Sequence, residues 1–309
     1  MSSLLRAELL RLASRRLLVM MLVAMAALAA LGVMVSADLV KPVGPEELIS
    51  ARENIRIALI DWESTCGGNE SSVECADWPK PQIEEFMHTP LGFGEYAENA
   101  LDLGFPLVLV AVAALVASLI GAEFASGNLS TQLLFTPRRI PLLLAKLAVG
   151  CVAGIVVAAT YVLTSLALSA ITFLSLRGAH DMSAGVGLPL MIGRIMVLVL
   201  ILALMSGALT MGLGSSLITM GVYLVVLVGS WTLETVVRGS SWVQFALPSR
   251  VLMTMMAGQT ELYDWWSGSD DIAVFRYMNY DWALAYSVIG VVIIAVTAAW
   301  WFRRRDLLG

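Results

Sequence analysis

The most chemically distinctive part of the chain is the segment 121–146, called here the connector, which lies between two long apolar segments. Glu123 ends the first apolar segment, Gly127 and Asn128 lie in the middle, and Arg139 and Lys146 precede the second. A simple membrane anchor would need only a few polar residues between its helices. The longer, amphipathic and charge-tipped connector therefore predicts a surface that a partner in the cytoplasm contacts.

Side chains for catalysis or metal binding are sparse. The sequence has no G-x-x-x-x-G-K-[ST] phosphate-binding motif and no G-x-S-x-G motif. The two histidines, His88 and His180, are far apart in sequence and lack evident metal-ligating partners. Acidic pairs such as Glu84-Glu85 are typical of solvated loops. We therefore predict no catalytic residue, no metal site and no cofactor in this chain, and we do not expect an enzyme.

The apolar segments around the connector predict a membrane protein. The chain is 59% hydrophobic and only 14% charged, whereas soluble domains carry about 25% charged residues. About 20 apolar residues cross a bilayer, and the segment 195–233 is roughly twice that length, so it predicts two helices with a turn at 212–216. Six membrane-spanning helices follow, at 17–35, 103–120, 147–176, twice within 195–233, and at 283–302.

Charge placement predicts the orientation of these helices. The N-terminal segment, the connector and the C-terminal tail together carry ten basic residues and three acids. The remaining loops carry the other nine basic residues and twenty-one acids. The positive-inside rule therefore places the connector and both termini in the cytoplasm, as expected for a multi-pass protein of the plasma membrane. The net charge of −5 gives no support for a nucleic-acid partner.

Two larger regions lie on the predicted exterior side. The first is the loop 37–101, where Cys66 and Cys75 favour a disulfide bond, because the exterior is oxidising; two free thiols are the alternative. The second is 238–282, in which 242–257 is too short and interrupted to span and predicts a re-entrant or interfacial hairpin before the last helix. Aromatic residues there fit an interfacial belt, with a ligand-binding cage as the alternative. These are Tyr263, Trp265, Trp266, Tyr277, Tyr280 and Trp282.

Two further patterns describe how the helices are arranged. Leu5, Leu9 and Leu12 recur at helical spacing within 2–14 and predict an interfacial helix, or else an extension of the first span. Gly150-x-x-x-Gly154 predicts close helix packing, inside the bundle or at a dimer face. The fold class predicted is an all-α membrane protein with one transmembrane domain, 1–309.

The connector resembles a known family. Its segments IGAEF at 120–124, ASGNL at 125–129, QLLFTPRR at 132–139 and LLAK at 143–146 are similar to the same region of the ABC transporter type-2 permeases, the type V exporters. Gly127-Asn128 stands where Gly-Thr is common in that family. The basic N-terminal helix, the six spans, Leu247-Pro248 before the last span and the arginine-rich end agree in outline.

The resemblance implies a bacterial permease subunit whose connector is a coupling helix docked on a separate ATPase. Two ATPase subunits would bind ATP and Mg²⁺, and a second permease copy would complete a dimer. The coupling residues implied are Glu123, Phe124, Gly127, Leu133, Leu134, Pro137, Arg138 and Arg139. A path for a hydrophobic or amphipathic substrate would lie between the copies, lined by Leu107, Val110, Leu115, Met220, Tyr223 and Leu227.

A second function stays open. The chain could be a membrane receptor or assembly factor that binds a partner through its exterior loops and transports nothing. An intramembrane enzyme ranks below both, because no catalytic residues are placed at membrane depth.

Overall fold

The protein is a bundle of long helices with one small sheet. The computed structural model describes residues 2–67, 79–135, 139–179, 182–236, 240–264 and 274–304. The helices are α1 (Ser2–Ala13), α2 (Arg16–Ser36), α3 (Pro45–Cys66), α4 (Phe93–Ala125), α5 (Asn128–Phe135), α6 (Arg139–Arg177), α7 (Gly187–Leu213), α8 (Ser216–Val236), α9 (Ser241–Ala246), α10 (Pro248–Ala257) and α11 (Tyr280–Arg304). Single-turn 3-10 helices occur at Ala37–Val40 and Ile83–Phe86, and the strands are β1 (Gln259–Asp264) and β2 (Val274–Asn279).

Six helices within the described residues are long and apolar enough to cross a membrane, which confirms the predicted number. They are α2, α4, α6, α7, α8 and α11. In α4 and α6, 61% of the most apolar stretch is buried inside the chain, against 17% in α11 and 11% in α8. The core therefore forms around α4 and α6, with α7 against both, while α8 and α11 lie at the periphery.

Small residues let the central helices approach closely. A Cβ on Gly150 would lie 3.0 Å from Val116 of α4, and a Cβ on Gly154 would lie 3.1 Å from Val112. Close approach of this kind is how membrane helices gain packing contacts where lipid offers no hydrophobic driving force. The Gly150/Gly154 motif therefore packs inside the bundle, and the dimer-face alternative is wrong.

The turn between α7 and α8 lies where the sequence predicts it. Gly214 ends α7 with a φ of +71°, a left-handed conformation that glycine adopts without steric cost. The amide of Gly214 donates to the carbonyl of Thr210, at 2.8 Å, and the hydroxyl of Ser215 accepts from the amide of Ile218 at the start of α8. Gly214 thus ends α7 and Ser215 caps the start of α8, so one uncharged segment is divided into two helices.

The region 238–282 contains a two-stranded sheet that the sequence analysis did not predict. The short helices α9 and α10 are separated at Leu247-Pro248, and an antiparallel two-stranded sheet follows. Leu262 and Met278 are buried on one face of this sheet, whereas Phe275 and Tyr277 are exposed on the other, the period-2 alternation of a half-buried strand pair. Apart from this sheet, which the sequence analysis missed, the regular elements of the described residues are all helices.

Candidate coupling site

The connector folds as a short separate helix at the end of the bundle that carries α1 and the C-terminal end of α11, called here the connector face. Helix α4 ends at Ala125, and Gly127 turns the chain with a φ of +69°, which favours glycine. Helix α5 then runs from Asn128 to Phe135. The chain therefore changes direction between the two most buried spans, α4 and α6.

Helix α5 has a buried side and an exposed side. Leu129 is only 2% exposed, so it fixes α5 to the bundle, whereas Leu134 is 68% exposed. Phe124 packs partly buried against the core at the end of α4. Leu134 is therefore the described apolar side chain of α5 that is open to a partner. The predicted coupling residues Pro137 and Arg138, and the side chain of Leu133, lie outside the described part of the structure.

A cluster of buried charges lies beneath the connector, where α1, α4 and α6 meet. The Lys146 ammonium donates to the carboxylate of Glu123 and, at 3.4 Å, to Oε1 of Glu8. These three side chains are only 3%, 8% and 8% exposed. Arg11 and Arg15 lie at the rim, 3.2 Å from Glu8 and 3.9 Å from Glu123. Two carboxylates thus share one buried ammonium.

This cluster changes the role of Glu123. The sequence analysis placed Glu123 among the residues that contact an ATPase. In the structure the Glu123 side chain is buried within the bundle and is bound to Lys146 and Arg15, so it is not exposed to a partner. Buried charges are stable only when paired, and pairing here fixes the end of α4 to the start of α6. Glu123 positions the connector.

Arg139 also binds within the chain. Its guanidinium donates to the carbonyls of Phe302, at 2.9 Å, and Arg303, at 3.2 Å. These carbonyls belong to the last turn of α11, which has no intrahelical donors for them, and a cation there is favoured by the helix dipole. Arg139 therefore joins the connector to the C-terminal end of α11.

Helix α1 is attached through the same cluster. Its predicted stripe packs inward, with Leu12 6% exposed and Leu5 and Leu9 partly buried against the core. Helix α6 is its main packing partner. The stripe therefore faces protein, and α1 is one more element fixed to the connector face. The sequence analysis missed this pairing because Glu8 and Lys146 are 138 residues apart.

The predicted substrate-path residues divide into two groups. Leu107 and Val110 of α4 are 57% and 45% exposed, but Leu115 is fully buried in the core. Leu115 is therefore not on the exposed surface of α4 that Leu107 and Val110 share, and its assignment to the substrate path stays a prediction. Met220, Tyr223 and Leu227 of α8 are partly buried.

Helices α4 and α8 lie side by side. Gly121 of α4 contacts Ser216 of α8, and the two helices run in opposite directions. Val110 and Leu227 are therefore at similar depth, because each is the same number of residues from that contact.

The opposite end of the bundle, called here the loop face, is also held together by hydrogen bonds and ion pairs. Arg194 of α7 donates to the carbonyl of Ala257 at 3.1 Å and stacks on the ring of Tyr280. Arg250 of α10 pairs with Glu234 of α8 at 2.7 Å. These charges fix the region 238–282 to the ends of α7 and α8. Of the predicted aromatic belt, Tyr277 and Trp282 are each 52% exposed; Trp265, Trp266 and the side chain of Tyr263 are outside the described residues.

His88 makes hydrogen bonds within the protein, whereas the sequence analysis treated it as a solvated loop residue. Its ring Nδ1 is 2.6 Å from the Glu47 carboxylate, and Nε2 is 2.8 Å from the carbonyl of Lys41. Both partners are acceptors, so the arrangement favours the doubly protonated ring. The hydrogen bond that the His88 ring donates to Glu47 raises the pKa of His88, and the backbone amide of His88 is the main group that lowers the pKa of Glu47. His180 is outside the described residues.

The cysteines are divided between the two predicted environments. Cys66 is disulfide-bonded and buried at the end of α3, whereas Cys151 is free within α6. Cys75, the predicted partner of Cys66, lies outside the described part of the chain, so the pairing stays a prediction. Within the described residues no group of three or more His, Cys, Asp or Glu side chains could hold a metal ion.

Comparison of the chain with protein-family models, with curated proteins and with solved structures found no match. The likeness to the ABC type-2 permeases therefore rests on the connector residues and on the order of the helices.

Proposed function

We propose that the chain is the transmembrane permease subunit of an ATP-driven ABC exporter, with a separate ATPase subunit docked on the connector face. The proposal rests on one observation, the way in which α5 is held at the end of the bundle. A short helix with an exposed leucine follows the end of α4, which the Lys146–Glu123 pair joins to α6, and Arg139 joins the start of α6 to the end of α11. A force on α5 would therefore act on the end of α4 and pass through these contacts to α6 and α11.

Charge supports the orientation that this function needs. The connector face carries the excess of basic residues and the loop face carries the excess of acids. The positive-inside rule then places α5 in the cytoplasm, where ATP is available. ATP and Mg²⁺ would bind to the partner, since the chain has no phosphate-binding motif of its own.

Helix α8 is little buried by the rest of the chain, which supports a dimer of permeases. Only 11% of its most apolar stretch is buried, and Leu107 and Val110 are exposed on the neighbouring α4. A second copy would cover part of this surface, with lipid covering the rest. A hydrophobic or amphipathic substrate would then move between the copies, past Leu107, Val110, Met220, Tyr223 and Leu227.

Co-purification tests the proposal. The tagged chain is purified from its source cells, the proteins that co-purify are identified by mass spectrometry, and ATP hydrolysis by the complex is measured in lipid nanodiscs. Leu134→Glu should weaken the complex at least about tenfold, as for loss of a central interface anchor. The control is Ile49→Glu, a 66% exposed isoleucine of α3 on the loop face, which should leave the complex intact. Absence of any ATPase from the wild-type complex would refute the proposal.

The alternative, a receptor or assembly factor that transports nothing, is separated by the same preparation. A receptor would bind its partner through the loop face and would not stimulate ATP hydrolysis. A stable complex that survives Leu134→Glu unchanged and shows no coupled hydrolysis would favour it.

A further inference from the structure

Helix α3 stands on the loop face with little of its surface used by the fold. Its main packing partner in the described part of the chain is the single-turn helix Ile83–Phe86. Lys80 stacks over Trp62, and His88 binds Glu47 near the first turn. These contacts hold α3 and the 83–86 turn beside each other while most of the α3 side chains stay exposed.

An open groove lies between α3 and this turn. It has a volume of about 600 Å³ and is lined by Asn54, Ile57, Ile60, Asp61, Ser64 and Phe86. Ile57 and Ile60 are 56% and 57% exposed. Isoleucines exposed to this extent, next to a partly buried phenylalanine, make an apolar floor in a region where the fold does not need one.

The edge of the groove is acidic. Asp61 lines it, and Glu84 and Glu85 are exposed on the turn beside Phe86. Among the described residues none of these three carboxylates has an ion-pair partner. The whole segment 37–101 carries thirteen acids and four lysines or arginines. The negative charge at the groove is therefore not neutralised by the chain around it, and it would attract a cation.

We propose that this groove binds a cationic amphipathic peptide on the exterior side of the membrane. A helical peptide would lay its apolar face on Ile57, Ile60 and Phe86, as in other helix-in-groove complexes. Its lysines or arginines would then face Asp61, Glu84 and Glu85. The acidic edge disfavours anionic lipid headgroups and nucleic acids. This inference does not depend on an ATPase partner.

A defined peptide probe tests the site. The full chain is placed in nanodiscs of neutral phosphatidylcholine, and the probe is a labelled 18-residue helix made only of leucine and lysine. The same peptide with glutamate in place of lysine, and empty nanodiscs, are the controls. We expect saturable binding of the lysine peptide with a micromolar Kd, weakened by salt, and no saturable binding of the glutamate peptide.

Variants separate the groove from general attraction. Ile57→Ser with Ile60→Ser should raise the Kd about tenfold or more, while Ile49→Ser, an exposed isoleucine of α3 outside the groove, should change it less than about twofold. Asp61→Asn should weaken binding several-fold, whereas Glu63→Gln on the opposite side of α3 should not.

Three results would overturn the proposal. One is equal binding of both peptides, and another is an unchanged Kd in the double isoleucine variant although its circular dichroism matches the wild type. The third is conversion of a dimer to a monomer by that variant, which would assign the groove to a second copy of the chain. None of these outcomes depends on ATP hydrolysis, so failure here leaves the exporter proposal standing.

Discussion

Lys146→Met is the sharpest perturbation of the connector face. The change keeps most of the length of the side chain and removes the ammonium that Glu123 and Glu8 share. Both carboxylates are 8% exposed, so water cannot readily replace the lost partner. Two like charges would then be buried close together, with only Arg11 and Arg15 at the rim.

The expected loss of stability follows from this burial. Removing one partner of a buried ion pair costs about 3–5 kcal/mol, mostly because the other charge is left uncompensated. For a chain of this size about 1 kcal/mol shifts the Tm by about 2–4 °C, so Lys146→Met should lower it by roughly 6–20 °C. The measurement is thermal unfolding in a mild detergent, followed by tryptophan fluorescence.

Two comparisons make this measurement specific. Lys41→Met removes a lysine from an ion pair with Asp38 whose side chains are 58% and 81% exposed, and exposed pairs contribute little. Its Tm should therefore stay close to that of the wild type. Glu123→Gln in the Lys146→Met background removes one orphaned charge, so it should restore part of the lost stability. Such a cycle isolates the coupling between the two residues.

The reasoning would be refuted by either of two results. In the first, Lys146→Met shifts the Tm no more than Lys41→Met does. In the second, the losses from Lys146→Met and Glu123→Gln simply add in the double variant, which would mean that the two residues do not act as a pair.

The remaining predictions concern the loop face and the packing of α4 on α8. The pKa of His88 is raised, so its bond to Glu47 should be complete below the unfolded-state value of 6.5 and lost as the pH rises through the higher folded-state pKa. Hydrogen exchange at the start of α3, corrected for intrinsic rates, should therefore become faster at alkaline pH in the wild type. In His88→Gln the exchange should not change with pH in this way. Equal pH dependence in both proteins would contradict this. Gly121→Ala would place a Cβ 2.7 Å from Ser216, whereas Gly290→Ala meets nothing within 4 Å. The first should lower the free energy of unfolding by about 1–3 kcal/mol through overpacking, and the Tm with it. The second should raise the Tm slightly, since alanine is favoured over glycine in a helix by about 0.5–1 kcal/mol. The reverse order in a melting experiment would show that α4 and α8 do not touch at Gly121.

The membrane helices could be predicted because their signal is local. Each is a continuous apolar segment of sufficient length, and the length of 195–233 alone requires a break, which occurs at Gly214. The turn at Gly127 is also a local signal, because glycine permits the positive φ found there. Such features depend on neighbouring residues, so they are visible without the rest of the fold.

The sheet could not be predicted with the same confidence from its pattern. β1 and β2 are six residues each, and the stretch between them is longer than a tight hairpin turn. Short alternating segments with aromatic residues fit an interfacial loop as well as a strand. The burial of Leu262 and Met278 on one face of the sheet is a tertiary feature, which the polar and aromatic composition of 238–282 does not indicate.

The buried charges of the connector face are also tertiary. Glu8, Glu123 and Lys146 lie in three different helices, and each alone is typical of a residue at a membrane interface. The sequence therefore led to an exposed role for Glu123 and Arg139, which in the structure bind Lys146 and the end of α11. Within the described part of α5, the connector stays available to a partner at Leu134.

Photo-crosslinking from position 134 is the most direct test of the central claim. A photoreactive amino acid replaces Leu134 in the full chain, expressed in its source cells, and adducts are identified by mass spectrometry. The account predicts an adduct between position 134 and the ATPase, and none from position 163, where Leu163 of α6 is 66% exposed on the side of a membrane helix. An adduct with lipid alone at position 134, or equal ATPase adducts from both positions, would contradict it.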